Sequence, residues 1–297
     1  RVGGEEVIFP STHSLAAAQF LEDVLDALEE VGGRAANEKS AKVAEAARAF
    51  VDALGDCDAG YATPYLARKA RGCASDATLA LRLVKLPAEL LYPESYASPR
   101  ADDLLECGVD ASRAAEAKRS LARLLDACRL AGIPRPRRYY AVLLMDGDRM
   151  GEWLSGEGAP QIGQLLHDAA RPRSNADYLK ARRPLSSAHQ VAVSRALNEF
   201  SLEIVPRVVE DMHGGVVVYA GGDDALAMLP LHAVLPCVRD LRRLYAGLPL
   251  AEDSVAGRAG MESRNGYVRR GGRLWRTMGE AATCSMGVAI AHQKWPL

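Results

Sequence analysis

The sequence predicts an α+β protein: a helical domain over residues 1–138 followed by a ferredoxin-like βαββαβ domain over residues 139–297. Three observations carry this. The first half is Ala- and Leu-rich with apolar residues at three- and four-residue spacing. The second half holds short, nearly all-apolar runs bounded by Gly and Asp. Between them lies Ile133-Pro-Arg-Pro-Arg-Arg138, whose two prolines make a stiff connector.

In the first half, Leu15, Ala18, Leu21, Leu25 and Leu28 form one face of an amphipathic helix over residues 15–30, with Ser11 or Thr12 as its cap. Further helices are expected around 38–54, 76–90 and 111–130, punctuated by Gly32-Gly33, Gly55, Pro93 and Pro99. After the connector, Tyr139–Met145 reads as a strand buried on both faces. A polar loop over 155–185 follows, with Gly156, Gly158, Pro160, Pro172 and Pro184. Residues 187–212 then form a long helix whose stripe is Val193, Leu197, Phe200, Ile204 and Val208. Pro206 should kink it and Gly214-Gly215 end it. Val216–Ala220 and Ala225–Leu229 are strands joined by Gly221, Gly222, Asp223 and Asp224, a hairpin pattern. A helix over 234–245, an Arg- and Gly-rich loop, and a strand over 282–291 complete the order β-α-β-β-α-β, an antiparallel sheet with helices on one face.

At 297 residues, with 48% hydrophobic and 25% charged side chains, wholesale disorder is excluded. No apolar run reaches the length of about 18 residues that a membrane-spanning helix needs, so no membrane partner is expected. Thirty-seven basic against 38 acidic residues leave a net charge of -1, so a nucleic-acid partner has to be argued from local patches. The six cysteines (Cys57, Cys73, Cys107, Cys128, Cys237, Cys284) show no paired spacing for zinc, and reduced thiols in a cytoplasmic protein are expected.

The chemistry concentrates in two acidic sites at strand ends. Asp146-Gly147-Asp148 closes the first strand and Asp223-Asp224 sits at the hairpin tip. In this topology the first strand and the hairpin lie side by side in the sheet centre, so both sites meet at one edge. A Gly-Gly-Asp-Asp hairpin alone is an ordinary solvated turn. A second acidic site after a buried strand at the matching position is not. Carboxylates this close repel unless a cation neutralises them, and hard oxygen donors without His or Cys suit Mg²⁺ or Mn²⁺. Gly221 and Gly222 clear the backbone for phosphates and allow the positive φ of a tight turn.

The segments Tyr140-Ala-Val-Leu-Leu-Met-Asp-Gly-Asp-Arg-Met-Gly151 and Val218-Tyr-Ala-Gly-Gly-Asp-Asp-Ala-Leu-Ala227 resemble the second palm of the Cas10 large subunit of type III CRISPR complexes, in its type III-B form, Cmr2. Phe9-Pro-Ser-Thr-His-Ser-Leu15, Ala196-Leu-Asn-Glu-Phe-Ser201, and Ser285-Met-Gly-Val-Ala-Ile-Ala-His292 with Lys294 and Pro296 agree in order and kind. The resemblance implies a nucleotidyl cyclase or GGDEF-like palm that makes cyclic oligoadenylates from ATP when the complex binds target RNA. It implies Asp146, Asp223 and Asp224 as metal ligands and catalytic residues, with Asp148 as a further or supporting ligand. Gly147, Gly221, Gly222 and Ser285 would then lie at the nucleotide. The implied partners are the small and backbone subunits of the effector, CRISPR RNA, target RNA and ATP. Competing readings are a catalytically silent scaffold and a GGDEF-like dinucleotide cyclase using GTP. A scaffold, on this reading, has no reason to bury several carboxylates at one sheet edge. Relatives carry a first palm and often an HD nuclease domain, neither visible here. Their phosphate-gripping basic residues lie on a helix after the last strand, so the palm is expected to be truncated at its C-terminal end and inactive alone.

Arg149 could meet a phosphate or pair with Asp148 or Glu152, while His189 and His292 lack partners at metal spacing. Arg258, Arg264, Arg269, Arg270, Arg273 and Arg276, with Tyr267 and Trp275 interleaved, suit RNA backbone or ATP phosphates, or simply form a solvated basic loop. Arg171, Arg173, Lys180, Arg182 and Arg183 make a second basic region.

Overall fold

The computed structural model describes residues 10–31, 37–55, 57, 60–97, 108–157, 159–172 and 176–294. Gly32-Gly33, Pro99, Cys107, Gly158, Arg173 and Pro296, together with Phe9, lie outside the described residues.

The helical part contains α1 (Thr12–Val31), α2 (Glu38–Leu54), α3 (Pro64–Gly72), α4 (Ala77–Val84) and α5 (Ala111–Ala131), with two 3₁₀ turns over Ala88–Leu91 and Pro93–Tyr96. Each start has a local cause. The side chains of Asn37, Thr63, Asp76 and Asp110 accept from N–H groups of the first turns of α2 to α5. Gly132, with φ 87°, ends α5. The apolar faces of these helices close on one core that includes Phe20, Val24, Leu28, Phe50, Leu83 and Leu121.

The sheet has the order β2-β3-β1-β7, with every neighbour antiparallel. Its strands are β1 (Tyr139–Gly147), β2 (Val216–Gly221), β3 (Asp224–Pro230) and β7 (Cys284–His292). Thus β3 is central and β2 takes an edge, where the sequence placed the whole hairpin at the centre. Ala141, Leu143 and Met145 of β1 and Ala225, Ala227 and Leu229 of β3 point into a second core. That core is closed by the helices Ser187–Glu199 and Val234–Ala246. All five predicted stripe residues of the long helix, Val193, Leu197, Phe200, Ile204 and Val208, are buried.

At Pro206, where the sequence predicts a kink, the helix changes its winding and runs on to Met212. Stretches over Phe200–Ile204 and Arg207–Met212 are wound as π-helix, with Val205 N–H bonded to the Phe200 carbonyl. Wider winding on both sides accommodates the donor that proline lacks. The region read as a polar loop over 155–185 holds short helices over Ile162–Leu165 and Ala176–Lys180, and a third, Met150–Ser155, leads into it. The Arg-rich segment is a second sheet, β4 (Glu262–Arg264), β5 (Tyr267–Arg270) and β6 (Arg273–Arg276), in the order β4-β5-β6.

Helices do not keep to one face of the main sheet. Leu15 of α1 packs with Tyr140, Val216 and Met228 on the opposite face. The Pro-Ser-Thr-His segment explains this seat. Ser11 Oγ accepts from the Ser14 N–H and caps α1, and Thr12 Oγ1 donates to the Gln293 carbonyl at 2.8 Å. His13 lies 3.1 Å from Glu89. The four free cysteines described, Cys73, Cys128, Cys237 and Cys284, are buried, but Cys57 is disulfide-bonded, against the expectation of uniform reduction. Pairing depends on how close folding brings two Cα atoms, which sequence spacing does not report. Among the described residues, no helix is long and apolar enough to cross a membrane.

Candidate functional site

The register of the sheet brings the acidic residues together. Asp146 is the penultimate residue of β1, and β1 pairs with β3 through Met145 opposite Ala225. Asp224 opens β3 opposite Gly221, and Asp223 occupies the turn between them. One ligand oxygen from each of Asp146, Asp223 and Asp224 lies within 4.8 Å of the others. Asp146 and Asp224 are exposed and Asp223 half-buried, so these carboxylates are not buried as the scaffold argument assumed. Their cost in one another's company combines lost hydration with like-charge repulsion. A hydrogen bond with Asp146, then desolvation and the Asp223 and Asp146 charges, push the Asp224 carboxyl above its ordinary value. Three hard oxygen donors in this state fit a Mg²⁺ or Mn²⁺ ion.

Two glycines make the cluster possible. A Cβ on Gly147 would come 2.6 Å from the Tyr245 hydroxyl and 2.7 Å from the Asp223 Cβ, so only glycine lets the hairpin tip approach β1 this closely. Gly222 has φ 64° at the tip, a conformation costly for other residues. Gly221 does not need positive φ, and its open side faces the Tyr219 ring.

Asp148 stands apart from the three-carboxylate cluster. Ser285, opposite Asp146 in the β1–β7 register, donates its hydroxyl to Asp148 Oδ1 at 2.6 Å. Hydrogen bonds from Ser285 and Thr283, with Arg242 and Arg149 nearby, hold the Asp148 carboxyl below the usual range. Arg149 takes φ 56°, a left-handed conformation, and its guanidinium lies 3.8 Å from Glu152.

Two site residues escaped the sequence reading. Tyr245, 1% exposed, packs edge-on against Phe200 and directs its hydroxyl at Met150 Sδ, beside Gly147. Arg242 donates to the Cys284 carbonyl at 2.9 Å, at the foot of β7. Both sit on the helix over 234–246, whose distance from the acidic edge only tertiary packing fixes. Among the described residues, His189 and His292 belong to no cluster that could hold a metal, and His292 packs against Tyr139. In the second basic region, Arg171 pairs with Asp168 and Arg182 donates to the Ala159 carbonyl.

A family model described as Cas10/Cmr2, second palm domain, matches residues 139–297. The chain belongs to the Cas10/Cmr2 family. A Cmr2 subunit of the CRISPR Cmr system from Pyrococcus furiosus is 34% identical over 168 residues, 56% of this chain and 16% of that protein. The Cmr2 of Saccharolobus solfataricus is 37% identical over 117 residues, 38% and 10% of the two chains. Cryo-EM structures of a type III-B Cmr-beta complex share the fold. The apo state matches with a TM-score of 0.51 at 18% identity over 97% of this chain, and the state bound to cognate target RNA with 0.53 at 17% over 98%. The chain thus spans 16% of the length of the Pyrococcus relative and 31% and 32% of the solved chains. The family match begins at Tyr139 with β1 and takes in all four strands of the main sheet, the acidic edge included.

Proposed function

We propose that the chain is the palm-bearing part of the large subunit of a type III-B RNA-guided effector, working in the cytoplasm, and that its palm makes cyclic oligoadenylates from ATP when target RNA binds. The observation that carries this reading is the convergence of Asp146, Asp223 and Asp224 to within 4.8 Å at one sheet edge. On this reading its partners are small and backbone subunits, CRISPR RNA and target RNA, the last of which a similar type III-B Cmr-beta complex binds.

Asp146, Asp223 and Asp224 would hold Mg²⁺ or Mn²⁺, with Asp148, kept ionised by Ser285, beside them. A bound divalent cation supplies positive charge that acidifies a 3′-hydroxyl and stabilises departing pyrophosphate. The hairpin tip leaves room for phosphates against backbone at Gly222, where a Cβ would meet nothing within 4 Å, while the bare side of Gly221 is taken by Tyr219. The 3′-oxygen of one ATP forms a bond to the α-phosphorus of another, the bond to pyrophosphate breaks, and the hydroxyl proton passes to solvent. Tyr245 and Gly147 act on position alone, by fixing the distance between β1 and the hairpin.

The test uses the full-length parent assembled with its guide, given cognate target RNA, either Mg²⁺ or Mn²⁺, and ATP or GTP. Mass spectrometry should find cyclic adenylates from the wild type and none from Asp223→Ala/Asp224→Ala. Guanine products would favour the dinucleotide cyclase reading. No product from either protein, with assembly intact, would favour a scaffold.

A further inference from the structure

The small sheet β4-β5-β6 has two unlike faces. Its inner row, Ser263, Val268 and Trp275, is buried, and the Arg207 guanidinium lies 5.3 Å from the Trp275 ring centre. Its outer face carries two cross-strand rows. Glu262 pairs in register with Arg269 and Arg269 with Leu274; Arg264 pairs with Tyr267 and Tyr267 with Arg276.

The second row is unusual for a solvated sheet face. Tyr267 is 45% exposed between two exposed arginines, and Leu274, 62% exposed, lies in the adjoining row. Glu262, the acid of this face, is taken by Arg269 at 2.7 Å. Among the described residues, neither the Arg264 nor the Arg276 guanidinium is in an ion pair, although Glu199, itself paired with Arg195, accepts the Arg276 backbone N–H at 2.6 Å and lies within reach of its charge. Opposite-charge pairs stabilise neighbouring strands, and this row has none across its strands. Here the chain spaces Arg, aromatic and Arg about 5 Å apart on adjacent strands.

The row is also rigidly held. Asn265 and Gly266, with φ 53° and 77°, form the two-residue turn that joins Arg264 to Tyr267. Gly266 N–H donates to the Gly247 carbonyl, and Thr277 N–H donates to that of Gly266. The row is therefore fastened to the end of the helix that carries Tyr245, and Met278 N–H bonds the Tyr245 carbonyl itself. A preset ring with flanking cations offers a base a stacking surface and its two phosphates a countercharge, at little ordering cost. A duplex, with its bases already stacked, gains nothing from a single exposed ring.

We propose that the outer face of this sheet, centred on Tyr267 and flanked by Arg264 and Arg276, binds single-stranded nucleic acid. This surface does not depend on the carboxylate cluster being catalytic.

The test measures fluorescence anisotropy of labelled 12-nucleotide oligouridine and oligothymidine with the full 297-residue chain at several salt concentrations. Tyr267→Ser should weaken binding about fivefold or more with the salt slope unchanged, and Tyr267→Phe should retain it. Arg264→Gln/Arg276→Gln should lower the log–log salt slope by about 1.4, two phosphate contacts on a single strand. Arg129→Gln, on the remote helix α5, should change nothing. Preference for one oligomer assigns the surface to RNA or to DNA. Wild-type affinity in the Tyr267 and arginine variants, or no binding by the wild type, overturns the proposal. So does equal, variant-sensitive binding of polyglutamate, which would mark an acidic protein surface as the occupant instead.

Discussion

Replacing Gly147 by alanine tests how the acidic edge is assembled. The new methyl carbon would lie 2.6 Å from the Tyr245 hydroxyl and 2.7 Å from the Asp223 Cβ, both well inside contact distance. Neither neighbour yields easily. Tyr245 is 1% exposed against Phe200, and the Asp223 Cβ is fixed by the tight turn. Overpacking of this kind costs about 1–3 kcal/mol, seen as a lower urea midpoint for the palm transition. Tyr245→Phe removes one of the two clashes. Its hydroxyl bonds only weakly, to Met150 Sδ at 3.7 Å, so that change alone should cost well under 1 kcal/mol. In the double variant about 1 kcal/mol of the Gly147→Ala cost should return, a coupling that a double-mutant cycle reads directly. The Asp223 clash remains, so the oligoadenylate synthesis proposed above for the parent complex should stay down about 100-fold in both, as for a misplacement near 1 Å. A Gly147→Ala protein with the wild-type midpoint and activity would show that this close approach does not hold the hairpin tip.

Four further outcomes follow from the structure. Mn²⁺ should raise the thermal midpoint of the 297-residue chain, and Asp223→Ala/Asp224→Ala should abolish that shift in differential scanning fluorimetry. Asp240, fully buried, bonds His213 Nε2 at 3.2 Å and the Ala256 N–H at 3.0 Å, so Asp240→Ala should cost about 3 kcal/mol or more in urea unfolding. Burial raises the Asp240 carboxyl, but the hydrogen bonds from His213, Ala256 and Ser254 outweigh it and hold it below its ordinary value. Its stabilisation is therefore complete above the usual carboxylate range and fades as pH falls through the lowered value. The midpoint difference between wild type and Asp240→Asn should shrink as pH falls below about 4. Ser11→Ala, which removes the cap of α1, should cost about 1 kcal/mol and speed amide exchange in its first turn.

The strands of the main sheet were legible because each is a short apolar run between turn residues, and the long helix because its stripe keeps one period through Pro206. The acidic edge followed from element order alone, since strand order then decides which ends meet. What the sequence hid has local reasons. Each strand of the small sheet buries a single residue, Ser263, Val268 or Trp275, too few to show alternation among arginines. The signal that would have found it is the pair of two-residue turns, Asn265-Gly266 and Gly271-Gly272, all four with positive φ. Helix α3 has few apolar positions to mark a period, burying only Leu66 and Ala70. Tyr245 reads as one more stripe residue of its helix, and nothing in its spacing tells that its hydroxyl ends beside Gly147.

The seat of α1 on the sheet also orders events during synthesis. Thr12 and Gln293, which bond each other, are 281 residues apart. A ribosome adding about 5–20 residues per second takes on the order of ten seconds or more to lengthen the chain from one to the other. Leu15, fully buried in the finished protein against residues of β1, β2 and β3, has no sheet to cover for most of that interval. Closing so long a loop comes late because its entropy must be met before the contact gives anything back. The growing chain therefore exposes an apolar helix end until the palm behind it has formed, which is the interval in which a chaperone or a partner subunit would have most to shield.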